Sequence, residues 1–249
     1  MRKIHIRDIP SKNEVKDGEN FYLDSSWGLS SLEYNVPQFN TKEDLLVKEL
    51  VNSDDFLRIY LKYYNPYKYF CSHVLFMTND TNAFFLTDAA LNLDPDPTTL
   101  VKIVENAVKF YRELHLDECK PTIHVNLLTN SGHLSLSNPT SCKMQLVKDY
   151  LVENYPDLYV TTWQLDACLY YKARQNKGIV GDCGLFMTPD IIVVPNLDTG
   201  NAIYKALLNE YKSYGFVIGG TIPAVLNSRS DLDKNEESIK ILKDLKLVK

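Results

Sequence analysis

The chain has 249 residues, 45% of them hydrophobic, with 32 acidic and 27 basic side chains and a formal net charge of -5. That length buries a sizeable core in one large domain or two smaller ones, and the balanced composition excludes a disordered or fibrous chain. The acidic balance argues against a nucleic-acid or anionic-membrane footprint, and neither a signal-peptide core nor a membrane-spanning run is visible, so the expected compartment is the cytoplasm.

Residues 1–40 are polar and give weak strand or loop signals with no assignable role. From Thr41 to Tyr64 the pattern reads as helical, broken near Asn52-Ser53 and ended by Asn65-Pro66. Tyr69 to Met77 and Ala83 to Thr87 predict a β-hairpin turning at Asn79-Asp80-Thr81-Asn82. A helix follows, with Asp96 as N-cap, Pro97 at its first position, and Leu100, Ile103, Val104, Ala107, Val108, Tyr111 and Leu114 forming one apolar stripe. Next come a strand at Thr122 to Leu128, a loop at Thr129 to Ser137, a helix over Ser141 to Asn154, a strand at Leu158 to Trp163 and a short helix. Strands alternating with helices predict an α/β fold with a mostly parallel sheet.

The last quarter carries the chemistry. Ile191 to Val194 read as a buried strand ended by Pro195, after which Thr199-Gly200-Asn201 opens an amphipathic helix. A strand, a glycine turn and a helix N-terminus in succession suit an anion. Phe216-Val217-Ile218 before Gly219-Gly220 repeats the pattern, and Ser228-Arg229-Ser230-Asp231 then offers hydroxyls and a guanidinium able to grip phosphate bidentately. Each of these has a plainer reading. Ser230 or Asp233 caps the last helix with Glu236 completing a capping box; the glycines serve turns; Lys205 is solvated; Arg58 pairs with Asp54 or Asp55 on a helix surface. Five cysteines without a C-x-x-C pair and scattered histidines signal neither disulfides nor a metal site, and His73 and His124 read as structural.

Val194-Pro195-Asn196-Leu197, Gly200-Asn201 and Tyr204-Lys205, then Gly219-Gly220 and Pro223, then Ser228-Arg229, resemble the phosphate acetyltransferase and phosphate butyryltransferase family. Thr87-Asp88-Ala89-Ala90-Leu91-Asn92-Leu93-Asp94-Pro95, the strand Cys71 to Met77, and Ser53-Asp54-Asp55-Phe56-Leu57-Arg58 are similar to that family's segments in the same order. The resemblance covers about residues 53 to 241. It implies two α/β lobes with mostly parallel sheets and an interdomain cleft, isocitrate/isopropylmalate dehydrogenase-like, with the first lobe reduced: residues 1–68 plus 218–249 as that lobe and 69–217 as the second. It also implies transfer of an acetyl or butyryl group between acyl phosphate and coenzyme A, the latter a co-substrate, with no metal, no nucleic-acid or membrane partner, and a homodimer. Carried over by position, Ser228 is a catalytic residue; the family's acid falls at Asn235, which leaves the base to Asp231, or to Asp233, both short of the usual place. Arg58, Arg229, Gly200, Asn201, Lys205, Gly219 and Gly220 bind substrate.

Three positions depart from the family pattern. Asp44-Leu45-Leu46-Val47-Lys48 stands where the family is glycine-rich, Trp163 occupies a place expected to be open, and Asn235 stands where many members have an acid. Two functions therefore remain in view at the level of sequence, an acyltransferase and a degenerate relative that binds phosphate or a coenzyme A-type ligand as a regulatory protein. A nicotinamide dehydrogenase of similar build would need a Gly-x-Gly-x-x-Gly fingerprint that is absent.

Overall fold

The computed structural model describes residues 2–7, 15–17, 20–24, 44–114, 122–130, 137–179, 188–228 and 233–244. The chain forms two compact units, Met1–His73 with Tyr214–Lys249, and Val74–Ser213.

The first unit is built on β1 (Arg2–Arg7), β2 (Val15–Asp17), β3 (Asn20–Asp24), β4 (Asp44–Lys48), β10 (Lys212–Ile218, from Tyr214 onward) and β11 (Ala224–Val225). Their order is β2-β3-β1-β4-β11-β10. The pairs β3–β1, β1–β4 and β4–β11 are parallel, whereas β2–β3 and β10–β11 are antiparallel. The helical reading of 41–48 is corrected here. Asp44 to Lys48 are all buried in an inner strand, Leu46 lying between Ile4 and Ala224. A strand covered on both faces reads as one continuous apolar run, and a run of that length has no period to separate it from a helix. The helix proper is α1 (Ser53–Ile59), which Asn52 caps by accepting from the Asp54 amide at 3.0 Å. It passes into a π-helical turn, Tyr60–Tyr64, whose buried Tyr60 and Tyr64 join Phe56, Phe216, Ile239 and Leu242 in this unit's apolar core.

The second unit contains β5 (Ser72–Thr78, from Val74 onward), β6 (Ala83–Thr87), β7 (Ile123–Leu127), β8 (Leu158–Thr161) and β9 (Ile191–Val193), ordered β5-β6-β9-β7-β8. Only β5–β6 is antiparallel; it is the predicted hairpin, with Asn79 Oδ1 receiving the amides of Thr81 and Asn82 at 3.0 and 2.8 Å. Asp96 caps α2 (Pro97–Leu114) through the Thr99 amide at 2.7 Å, as its sequence foretold. The next helix, α3 (Pro139–Asn154), begins a little before the predicted Ser141, because Asn138 accepts from the Thr140 and Ser141 amides and Pro139 fits the first turn. Two short helices, α4 (Leu165–Leu169) and α5 (Tyr171–Asn176), are joined by buried Arg174, which donates to the carbonyls of Ala167 and Cys168 at 2.7 and 2.9 Å. Leu75, Met77, Phe84, Leu86, Ile192 and Tyr211 form the heart of this unit's core.

His73 is buried in the first unit with Nε2 3.4 Å from the Leu226 carbonyl. Burial holds its pKa down at about 4 against an ordinary 6.5, the carbonyl only partly opposing this. As pH falls through 6.5 the unfolded histidine takes up a proton that the folded one refuses until about 4, so stability is intact above 6.5 and is lost across that window. The loss amounts to about 3 kcal/mol. Urea unfolding at steps across this range should show it, and His73→Gln should flatten that part of the profile.

Candidate functional site

The helix predicted to open at Thr199 begins earlier. It is α6 (Leu197–Leu207), and Asn196 is its cap. Three of the amides at its start are already engaged: Leu197 donates to the Leu93 carbonyl at 3.0 Å, Thr199 to Asn196 Oδ1 at 2.9 Å, and Gly200 to the Asn196 carbonyl at 3.2 Å. Gly200 is required for packing. A Cβ there would lie 3.0 Å from Ala89 Cα, the Asp88 carbonyl and Val194 Cγ2, so the missing side chain lets α6 close onto the loop after β6. Asn201 is half-buried, and Lys205 is exposed in the last turn, matching its solvated reading.

That loop after β6 is built around Asp88, a buried carboxylate that accepts from the Ala90 and Leu91 amides at 3.1 and 2.9 Å and from Asn92 Nδ2 at 2.5 Å. The sequence shows the run as a family-like segment, without the side-chain bonds that shape it. A second determinant was missed altogether. Lys143, from α3, donates to Asp94 Oδ1 at 3.0 Å, to the Pro95 carbonyl at 3.1 Å and to the Pro195 carbonyl at 3.0 Å. One ammonium thus ties together the loops that follow β6 and β9. Lys143→Met should lower the stability of the protein by about 1–2 kcal/mol in chemical denaturation, most of it from the two carbonyls, because the Asp94 partner is exposed.

On β7 and β8, Asn126 receives the Thr161 hydroxyl at 2.8 Å and the Trp163 amide at 2.7 Å, and returns its own N–H to the Trp163 carbonyl at 3.2 Å. The Thr161 proton being spent, its oxygen accepts from His124 Nε2 at 2.8 Å, which fixes that ring's tautomer. Trp163 lies edge-on to His124 with centroids 4.9 Å apart and packs against the core of the unit. The indole is therefore a packed wall residue, and His124 has the structural role its place in a strand suggested.

In the first unit, Arg58 is exposed near the end of α1 and pairs with Asp55 one turn back, which is the plainer of its two readings. Gly219 follows β10 with φ +82°, so its place is one that side chains resist. Gly220 is needed for close approach: a Cβ would sit 2.0 Å from the Tyr60 hydroxyl and 3.0 Å from Cys71 Sγ. This glycine turn is held from both sides, Tyr60 donating to the Ile222 carbonyl at 2.8 Å and Thr221 to Asn65 Oδ1 at 3.0 Å. Burial beside Cys71 raises the Tyr60 pKa, keeping the phenol protonated as a donor.

Ser228 is half-buried and follows Asn227, a buried amide. Arg229, Ser230 and Asp231 lie outside the described residues. Asp233 is exposed, and Glu236, predicted to complete a capping box, pairs with Lys3 at 2.9 Å. Asn235, the first residue of α7 (Asn235–Asp244), is buried, its Nδ2 donating to the Lys48 carbonyl at 3.1 Å and its Oδ1 accepting from Asn227 Nδ2 at 2.9 Å. Among the described residues no group of three or more His, Cys, Asp and Glu side chains is placed to hold a metal ion, and no helix is long and apolar enough to cross a membrane. Cys71, Cys142 and Cys168 carry no disulfide; burial pushes the Cys168 thiol up to about 12, far from a nucleophile's range.

The sequence pattern of the phosphate acetyl/butaryl transferase family matches residues 41–241, spanning every segment just described from β4 into α7. The chain belongs to that family. Among curated relatives of this family member, it is 29% identical over 201 residues to a phosphate butyryltransferase of Clostridium acetobutylicum, covering 76% of this chain and 64% of that protein. It is 30% identical over 169 residues to a phosphate acetyltransferase of Rhizobium meliloti, covering 64% of this chain and 51% of that protein. The chain thus spans less than two thirds of these relatives' length. Among solved structures, a branched-chain phosphotransacylase from Enterococcus faecalis V583 superposes with a TM-score of 0.73 at 22% identity, covering 99% of both chains. A phosphotransacetylase from Streptococcus pyogenes gives 0.62 at 20% identity over 82% of this chain and 62% of that one. The mixed α/β fold with mostly parallel strands is the fold of these proteins.

Proposed function

We propose that this protein is a phosphate acyltransferase of the cytoplasm that moves an acetyl or butyryl group between acyl phosphate and coenzyme A. The observation that carries this reading is the family match over residues 41–241, with the Ser228-Arg229 pair retained within it. From the acyl phosphate side, the thiol sulfur of coenzyme A attacks the acyl carbon, the bond from that carbon to the phosphate oxygen breaks, and inorganic phosphate leaves. The thiol proton passes to a carboxylate, for which Asp231 is the candidate, with exposed Asp233 next in the chain. Arg229 and Arg58 neutralise the phosphate as its charge grows, and the Ser228 hydroxyl donates to the thiol or the phosphate. Gly219 and Gly220 supply a backbone without side chains beside them; of the family's other positions, Gly200 serves packing and Lys205 is solvated.

Asn235 is not the base. A carboxamide does not take a proton near neutral pH, and both ends of this one are engaged in the protein's interior. In this reading the protein acts as a homodimer, for which exposed Tyr67 and Tyr69, with ring centroids 5.7 Å apart, are a candidate surface. The test of function is thioester formation by the purified protein from coenzyme A with acetyl, propionyl and butyryl phosphate. Turnover with at least one of them, releasing one phosphate per thioester, supports the enzyme. Folded protein that turns over none would make a phosphate- or coenzyme A-binding regulator the working description.

A further inference from the structure

We propose that Lys48 and Asn235 are positioning residues that act through Asn227 to fix the direction in which the chain presents Ser228, the first residue of the Ser-Arg pair. Resting on the reading that this pair meets the acyl phosphate, the inference starts from a ring of buried polar groups. Asn227 is 4% exposed, Lys48 1% and Ser238 0%. The Asn227 Oδ1 accepts from the Gly215 amide at 2.7 Å, its Nδ2 donates to Asn235 Oδ1 at 2.9 Å and to Ser238 Oγ at 3.0 Å, and its carbonyl accepts from Lys48 Nζ at 3.1 Å. Asn235 Nδ2 closes the ring on the Lys48 carbonyl at 3.1 Å.

These bonds determine one another. Because the Gly215 amide is a donor, it sets which end of the Asn227 amide faces it. The opposite end must then donate, so Asn235 must present its oxygen there and its nitrogen to Lys48. No second arrangement satisfies all of the partners. The ring joins the last residue of β4, the chain just after β11 and the first two turns of α7, segments separated by as many as 187 positions. The Asn227 backbone is thus held at its carbonyl and its side chain at both ends, and Ser228 is the next residue.

Stability alone does not account for such a ring. Well-packed apolar side chains stabilise a core at least as well as buried charged and amide groups, and what a fully satisfied polar network adds is a single orientation. Here the orientation belongs to the residue preceding the Ser-Arg pair. It also accounts for Asn at position 235, where an acid would set a carboxylate oxygen against the Lys48 carbonyl.

The test compares the wild-type protein with Lys48→Met, which keeps an unbranched apolar stem but removes the ammonium, and Ser238→Ala, which removes one acceptor of Asn227 and should fold even if the first does not. Each is assayed for thioester formation and for hydrogen exchange of the Ser228 amide. The proposal expects kcat at least tenfold lower, KM for coenzyme A within twofold of wild type, and exchange of the Ser228 amide at least tenfold faster while β4 and α7 keep their protection. Unchanged exchange overturns it, and so does faster exchange with unchanged kcat in an active protein. If the wild-type protein shows no turnover, the acyltransferase reading fails by itself. The exchange comparison then decides the proposal alone, faster exchange at Ser228 supporting fixed positioning and unchanged exchange refuting it.

Discussion

Gly215→Ala is expected to destabilise the protein by about 3 kcal/mol or more, the largest effect of any single methyl group discussed above. Its Cβ would fall 2.1 Å from the Leu226 carbonyl oxygen and 2.9 Å from the carbonyl carbon, with His73 Nε2 at 3.0 Å. Backbone cannot rotate away as a flexible side-chain tip can. Relief requires the chain at Leu226 to move, breaking the 2.9 Å bond from its amide to the Gly215 carbonyl and the 2.7 Å bond from the Gly215 amide to Asn227. A buried donor left without its acceptor adds about 1–3 kcal/mol to the cost of the overlap. Gly178→Ala is the control. That residue also lacks a side chain for conformational reasons, at φ +62°, but nothing lies within 4 Å of a Cβ there, so its cost should stay near 1 kcal/mol. Equal losses at the two positions, measured by urea unfolding, would show that the contact with Leu226 is not what requires a glycine.

For activity, the largest effect expected is at Arg229. Its replacement by alanine should lower kcat/KM for thioester formation at least a hundredfold, about 2.7 kcal/mol of transition-state stabilisation, without unfolding the protein. The reason lies in the leaving group, since phosphate departs with growing negative charge and a planar guanidinium meets two of its oxygens at once. Arg229→Lys should recover part of the loss, because charge is retained while the paired geometry is not. Arg58 provides a useful contrast. It already has Asp55 as an ion-pair partner on the surface of α1, so a loss from Arg58→Ala close to wild-type error would leave it as that partner and remove it from the substrate set.

Much of the fold was legible because local chemistry and tertiary context agree. Asn79 at the β5–β6 turn and Asp96 before α2 each satisfy nearby amides through their own side chains, and such interactions depend on residues two or three positions away. Misreadings occurred where two local signals competed or where burial decided. Asp44 to Lys48 reads as helix or strand until Ile4 and Ala224 are known to flank it. Gly200 as a turn residue points to a start of α6 at Thr199, although Asn196 directly before an apolar leucine is an ordinary cap signal. Gly200 proved to be about helix-to-loop distance and Gly220 about the Tyr60 hydroxyl, requirements that no sequence spacing carries.

The site was less legible than the fold for a related reason. Ser228-Arg229 and the glycine pair are recognisable as short motifs, but what holds them is not. Lys48, Asn227 and Asn235 lie far apart along the chain, and nothing in their spacing says that a lysine and two asparagines meet. Lys143 likewise reads as one more charged residue on a helix until Asp94, Pro95 and Pro195 are found at its ammonium. Position 235 looked like the loss of an acid; in the structure it is the gain of a two-ended amide in a ring that only an amide completes.

The most direct measurement is the movement of labelled inorganic phosphate into butyryl phosphate, by wild-type protein, with and without a small amount of coenzyme A. Label enters the acyl phosphate only if the acyl group passes to the thiol and returns to a different phosphate, so hydrolysis cannot imitate it. The account predicts incorporation that requires coenzyme A and disappears in Arg229→Ala. Folded wild-type protein that incorporates no label into butyryl or acetyl phosphate in the presence of coenzyme A would contradict it.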